Sequence, residues 1–334
     1  MKSVVLSDTH IGRRNGDPRE LEVSENFFNW VCEISEQKNI ERLIFLGDWH
    51  DNRKSITIPS IHKSYEIINN VKDAFKDIFL VVGNHDLYYN DRYIPNSIDI
   101  FHSIENVNII ATNTVIENML FIPWIFDNGD IEDIENNNYN VDIVLGHLPI
   151  NDIILNRSGS KSKNNMLKQS HFKNYRLVLS GHYHQYGQYG NIIYIGAPYH
   201  MSFNDSGKRG IWILDNETMD MQFIEYEHAP KYVIIDAENY DPDIITGNHV
   251  GAEFYNNIGM NEINEIFEEM YKLNPVSITP SYKFSISFTE ETIFDSIEEI
   301  KGNKEILIEY IRKSEVPQNL NLNTLENIIN SMEI

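Results

Sequence analysis

Leu43-Ile44-Phe45-Leu46-Gly47-Asp48-Trp49-His50-Asp51 is the stretch that decides the fold. Its four apolar residues are too few for a core helix and suit a strand buried on both faces. Glycine ends the run, and acidic and imidazole side chains follow at once. Working outward, the same order recurs: Val4–Ser7 runs into Asp8-Thr9-His10, and Phe79–Val82 into Gly83-Asn84-His85-Asp86. Ile143–Leu145 leads to Gly146-His147, and Leu177–Ser180 to Gly181-His182-Tyr183-His184. Between the first two strands, Phe27, Phe28, Val31 and Ile34 recur at helical spacing within Glu20–Lys38. A second helical segment covers about Pro59–Phe75. Strand–helix–strand alternation predicts a layered α/β core with right-handed crossovers. Ile192–Ile195, Gly210–Leu214, Met221–Tyr226 and Tyr232–Ile235 follow at short intervals, which predicts antiparallel pairing. The core is then a mixed sheet, or two packed sheets, flanked by helices.

Near Pro230 the character changes. Asn261–Leu273 reads as a short acidic helix and Tyr282–Phe288 alternates like a strand, together a small α+β appendage. A helical pattern from Thr292 to Lys313 is broken at Gly302, and Leu322, Leu325, Ile329 and Met332 form a final apolar stripe. The expected divisions are residues 1–230, 231–290 and 291–334. The stripe either folds back on the chain or enters a groove on a partner.

Of 334 residues, 41% are hydrophobic and 23% charged, enough for a sizeable core. Cys32 is the only cysteine, which excludes an intrachain disulfide and a cysteine metal cluster; it is expected as a small core residue. No stretch resembles a secretory h-region or a membrane span, so the expectation is a cytoplasmic protein. The net charge of −23 speaks against a nucleic-acid partner, but it is unevenly spread. Residues 227–334 hold 7 Lys+Arg against 20 Asp+Glu. Between Ile153 and Leu214 the balance reverses, with Arg157, Lys161, Lys163, Lys168, Lys173, Arg176, Lys208 and Arg209 against Asp205 alone. That stretch either grips a polyanion or is a solvated surface.

Carboxylate, imidazole and carboxamide without thiolate suit divalent ions such as Mn²⁺, Fe²⁺ or Zn²⁺. Two such ions about 3.5–4 Å apart polarise a phosphodiester, generate hydroxide and stabilise the leaving oxygen. A carboxylate must bridge cations that close, and Asp48 is the central candidate. His85 is placed to protonate the leaving oxygen if a carboxylate orients it, with Asp51 the natural partner.

Asp-x-His, Gly-Asp-x-x-Asp, Gly-Asn-His-Asp, Gly-His and Gly-His-x-His in this order resemble the calcineurin-like metallophosphoesterase superfamily. The resemblance implies a layered αββα sandwich with a small α+β cap and C-terminal helices. It implies Asp8, His10 and His184 on one metal, Asn84, His147 and His182 on the other, Asp48 bridging, and His85 as the acid. Ser/Thr phosphatases carry arginines where this chain has Asn52 and Val82, so their monoester clamp is missing. Ser7-Asp8-Thr9-His10-Ile11-Gly12 and Ile195–Asp205 instead resemble the SbcD-type DNA double-strand-break repair nucleases, and the layout is nearest to their T-even phage recombination-endonuclease members. That branch implies duplex exonuclease and single-strand endonuclease activity with two divalent ions, Mn²⁺ first and Mg²⁺ also suitable. It also implies DNA and an SMC-like, SbcC-type coiled-coil ATPase as partners, a homodimer, and no membrane. Many of its members have histidine where Asp51 stands. A small-molecule phosphodiesterase or phosphatase with the same metal core is the alternative.

Several residues keep two readings. His50 is a packing residue or a substitute for the missing histidine. His62, His102, His171, His228 and His249 read as structural, whereas the segment of His200 makes it a candidate for lining the site. Tyr183 and Tyr186 stack on a base or pack under their loop. The Ser/Gly/Lys/Asn-rich segment 157–165 reads as a mobile basic loop able to contact phosphates.

Overall fold

The computed structural model describes residues 1–126, 131–154, 159–163, 165–256 and 258–283. The expected C-terminal helices of 291–334 and nearly all of the expected strand Tyr282–Phe288 lie outside these residues. The first sheet contains β1 (Lys2–Leu6), β2 (Arg42–Phe45), β3 (Asp77–Val81) and β4 (Val107–Ile110), all parallel. The second contains β5 (Thr114–Ile116), β6 (Met119–Ile122), β7 (Ile143–Gly146), β8 (Leu177–Ser180), β9 (Gly187–Tyr189) and β10 (Ile192–Tyr194). Of these, β6, β7, β8 and β10 are parallel, and β5 and β9 are antiparallel edges. The hairpin β11 (Gly210–Asp215) and β12 (Met221–Glu225) returns to the first sheet, antiparallel beside β1. A third sheet holds β13 (Tyr232–Asp236), β14 (His249–Phe254) and β15 (Ser277–Tyr282), all parallel.

Period-two alternation explains why the central strands read as unbroken apolar runs. Val5, Ile44, Leu46, Phe79 and Val81 point into the layer between the two large sheets, where they meet Phe121, Ile143, Leu145 and Leu179. Their neighbours Val4, Leu6, Leu43, Phe45 and Leu80 face the opposite way, onto two helices. The first helix, Pro18–Lys38, has proline in its first turn and an Asp17 side chain that accepts from Arg19 N–H; it buries Leu21, Phe27, Phe28 and Val31. The second, Ile58–Ala74, is capped by Thr57 and buries Ile67, Ile68 and Val71. Each such side chain contributes roughly 1.5–3 kcal/mol. The outer face of the second sheet is covered more thinly, by Ile134 of the short helix Ile131–Asn136 and Phe172 of a 3₁₀ turn. The result is the αββα order, with a slight fourth layer.

The antiparallel expectation holds for β11–β12 and on one side of β10, which is antiparallel to β9 but parallel to β8; it fails for β13, which belongs to the third sheet and pairs parallel there. There the helix Met260–Lys272 connects β14 to β15 and packs Ile263 and Met270 on Val250, Ala252 and Phe254. Cys32 is half-buried against the helical layer, and burial pushes its thiol up to about 11. Among the described residues no helix is long and apolar enough to cross a membrane.

Candidate metal centre

The loops that carry the expected metal ligands are extensions of β1, β2, β3, β7 and β8 at one end of the two sheets. The first two remain zipped past their strands: Asp8 N–H donates to Gly47 O at 2.9 Å, His10 N–H to Asp48 O at 3.1 Å, and Ile11 N–H to Trp49 O at 2.7 Å. Asp8, His10, Asp48 and His182 have φ of 55°, 47°, 60° and 84°. Left-handed backbone costs a non-glycine residue roughly 1–2 kcal/mol and persists where surroundings hold it. Gly83 shows how tight those surroundings are, since a Cβ there would lie 2.3 Å from Asp48 N. Asp86 supplies much of the holding. Its carboxylate is fully buried and accepts the main-chain N–H groups of Gly83 (2.9 Å), Asp48 (3.0 Å), Trp49 (3.1 Å) and His50 (3.2 Å). Although it belongs to a metal-ligand motif, it faces amides.

Three groups of ligand atoms converge: Asp8, His10 and His184; Asp48, His147 and His182; and His10, Asp51 and His85. His10 Nε2 and His184 Nε2 lie 3.1 Å apart. His147 Nδ1 lies 2.7 Å from the Leu46 carbonyl, so it carries a proton and Nε2 is the nitrogen turned to the site. That nitrogen lies 3.0 Å from Asn84 Oδ1 and 3.3 Å from Asp48 Oδ2, and Asn84 Oδ1 is also 3.0 Å from His182 Nδ1. Four oxygen and imidazole nitrogen atoms brought this close together fit a cation among them. Asp48 Oδ2 also lies 3.7 Å from His10 Nε2, so its carboxylate touches both groups. Asp8, His10, Asp48 and His147 form a buried floor, and Asn84, His85, His182 and His184 a half-buried rim.

Burial holds His10 well below its ordinary pKa and His182 down at about 3, the neutral state in which imidazole offers a lone pair. Burial opposes a charge on His147 too, but the Asp48 carboxylate brings its pKa up to about 9, a sign of how negative the floor is. Burial would raise Asp48, yet His147, His10 and His85 bring it well below the carboxylate range. Burial pushes Asp8 and Asp51 up. His85 N–H donates to Asp48 Oδ1 at 2.8 Å. Its Nδ1 lies 2.6 Å from Asp51 O, so the ring is oriented by the Asp51 main-chain carbonyl and not, as expected, by the carboxylate. The Asp51 carboxylate instead lies 3.5 Å from His10 Nδ1.

His50 points away from the ligands, between Ser97 Oγ (2.8 Å) and Ser64 Oγ (3.0 Å), as a packing residue. His200 bonds Gly207 O and, like His62, His102, His171, His228 and His249, stands outside the three ligand groups. Tyr183 is buried against His182, with its hydroxyl 3.0 Å from Asn165 Nδ2; Tyr186 is exposed and stacks on Trp212. The basic segment is less free than its composition suggests: Ser162 is buried and bonded to Ile150 O and Ile153 N–H, leaving Lys161 and Lys163 exposed on either side. Arg209 is also unavailable to a polyanion, since it is buried on Asp205 and the His184 carbonyl. Sequence reasoning missed three supports. Tyr199 Oη donates to Thr9 O at 2.6 Å between Asp8 and His10, Arg209 holds the His184 carbonyl, and Trp124 packs 4.9 Å from the His182 ring. Only the Tyr199 segment carried a signal, through its resemblance to the nuclease branch.

The sequence profile of the calcineurin-like phosphoesterases matches residues 1–186. Exonuclease subunit 1 of Enterobacteria phage T4 is 29% identical over 231 residues, which cover 67% of this chain and 67% of that protein.

Proposed function

This chain belongs to the calcineurin-like phosphoesterases and is a metal-dependent phosphoesterase, and we propose that within this family it is a two-metal DNA nuclease of recombination and double-strand-break repair. It degrades duplex ends as an exonuclease and cuts single strands as an endonuclease, in the cytoplasm, as a homodimer working with an SMC-like coiled-coil ATPase. The observation that carries the reading is the double convergence of ligands on Asp48, in a chain similar to a phage exonuclease subunit.

Asp8, His10 and His184 would hold one divalent ion, Asn84, His147 and His182 the other, and Asp48 would face both. Bound there, two such ions, Mn²⁺ foremost, supply Lewis-acid charge to the phosphoryl oxygens and activate water. The protein's part is to fix these donors on strained, braced backbone and to deliver a proton. His85 is held through its backbone N–H and its Nδ1, which leaves Nε2 to meet the leaving oxygen. Lys161 and Lys163 flank the anchored Ser162 and would contact phosphates. The appended sheet would position the DNA end, and residues 291–334 would dock the ATPase. Deleting residues 315–334 should abolish co-purification with that ATPase and spare Mn²⁺-dependent hydrolysis.

The deciding experiment compares wild type with His85→Ala on linear duplex DNA and on bis(p-nitrophenyl) phosphate, each with Mn²⁺. Loss of a general acid should lower kcat by about 10²–10⁴-fold on DNA. Wild-type hydrolysis of the small diester without any of DNA would replace the nuclease reading with a small-molecule phosphodiesterase, to which the charge of −23 is better suited.

A further inference from the structure

We infer that Arg53 grips a non-bridging oxygen of the scissile phosphate. The inference rests on the phosphodiester-hydrolase reading above. Position 52, an arginine in the Ser/Thr phosphatases, is asparagine here, and the next residue is Arg53. Asn52 Oδ1 accepts the N–H groups of Lys54 (3.1 Å) and Ser55 (3.3 Å), a local turn that stiffens the loop leaving Asp51. Within that turn Arg53 is half-buried, and its Nε–H donates to the main-chain carbonyl of Asn84 at 2.7 Å.

That anchor ties the guanidinium to the main chain of a residue whose side chain lies at the centre. The side chain of Asn84 lies against His147 and His182, and the next residue, His85, bonds both Asp48 and the Asp51 carbonyl. Arg53 is therefore tied to the backbone of a ligand-group residue, one step from the proposed acid. Its terminal nitrogens are not committed elsewhere. Arg13, Arg14, Arg19, Arg42, Arg92, Arg176 and Arg209 each pair with a carboxylate. Among the described arginines only Arg53 forms no such pair, in a chain whose net charge of −23 leaves carboxylates in excess. A planar fork fixed by one nitrogen, with two more donors open, matches the tetrahedral oxygens of a phosphoryl group.

The test uses the full chain with Mn²⁺ and the variants Arg53→Ala and Arg53→Lys. For Arg53→Ala, kcat/KM should fall about 10- to 100-fold on both duplex DNA and bis(p-nitrophenyl) phosphate. Inorganic phosphate, followed by calorimetry, should bind at least about 10-fold more weakly. Mn²⁺ affinity and Tm should stay at wild-type values, and Arg53→Lys should recover part of the phosphate binding. Unchanged phosphate binding would overturn the inference. So would a parallel loss of Mn²⁺ affinity, which would make Arg53 a prop for Asn84. A loss confined to DNA would assign it to a flanking phosphate instead. If wild type cleaves the small diester only, the nuclease reading fails while the role of Arg53 is still read from the diester and from phosphate binding.

Discussion

Asp86 illustrates what a single residue can hide. Its carboxylate collects four main-chain N–H groups and thereby shapes the loop on which Asp48 stands. A buried donor left without a partner costs about 1–3 kcal/mol. Asp86→Ala should therefore lose on the order of 3 kcal/mol or more in urea unfolding, together with Mn²⁺ affinity by titration calorimetry. Nothing in Gly-Asn-His-Asp distinguishes this carboxylate from one that meets a cation, because a residue type does not carry the direction it faces. The same blindness applies to Arg53, Tyr199 and Arg209, which act on main-chain carbonyls, partners that every residue possesses. The converging histidines were legible for the opposite reason: imidazole after a glycine at successive strand ends is a rare combination.

Among the elements, the five strands that lead into the metal motifs were read to within two residues at either end, since a short unbroken apolar run that stops at a glycine or an acidic-imidazole motif suits little but a central strand. β6, just as buried, was missed because it runs into Pro123 with no such motif behind it. Those missed have physical disguises. β4 carries Asn108 and is only partly buried, β14 is thinned by Gly251 and Ala252, and β15 contains Pro280. The third sheet nevertheless has a testable property. Its three strands begin in register with Tyr232, His249 and Ser277 side by side, and His249 stacks on Tyr232 at 4.2 Å and lies 2.8 Å from Ser277 Oγ. Burial, reinforced by Arg14, Arg13 and Arg19 and offset by Asp17, brings His249 down to about 4. Unfolded, it would titrate near 6.5, so below that pH the unfolded chain binds a proton that the folded chain refuses. Stability is then full above about 6.5 and falls by up to about 1.4 kcal/mol per unit toward pH 4. His249→Gln should flatten this part of the curve in denaturation measured between those limits.

At the scale of the molecule, neither proposed ion site is complete on one sheet. Asp8 and His10 leave the first sheet while His184 leaves the second; Asp48 and Asn84 belong to the first, His147 and His182 to the second. An ion at either place is thus a rivet through both layers, and the free energy of riveting is free energy of folding. Mn²⁺ at 100 times its dissociation constant should add about 2.7 kcal/mol to stability, read as a rise in Tm that a chelator reverses. Chelation would then do more than stop turnover. It would unpin the layers from each other at the mouth of the site, and resistance to proteolysis should fall there before it falls at the far ends of the strands.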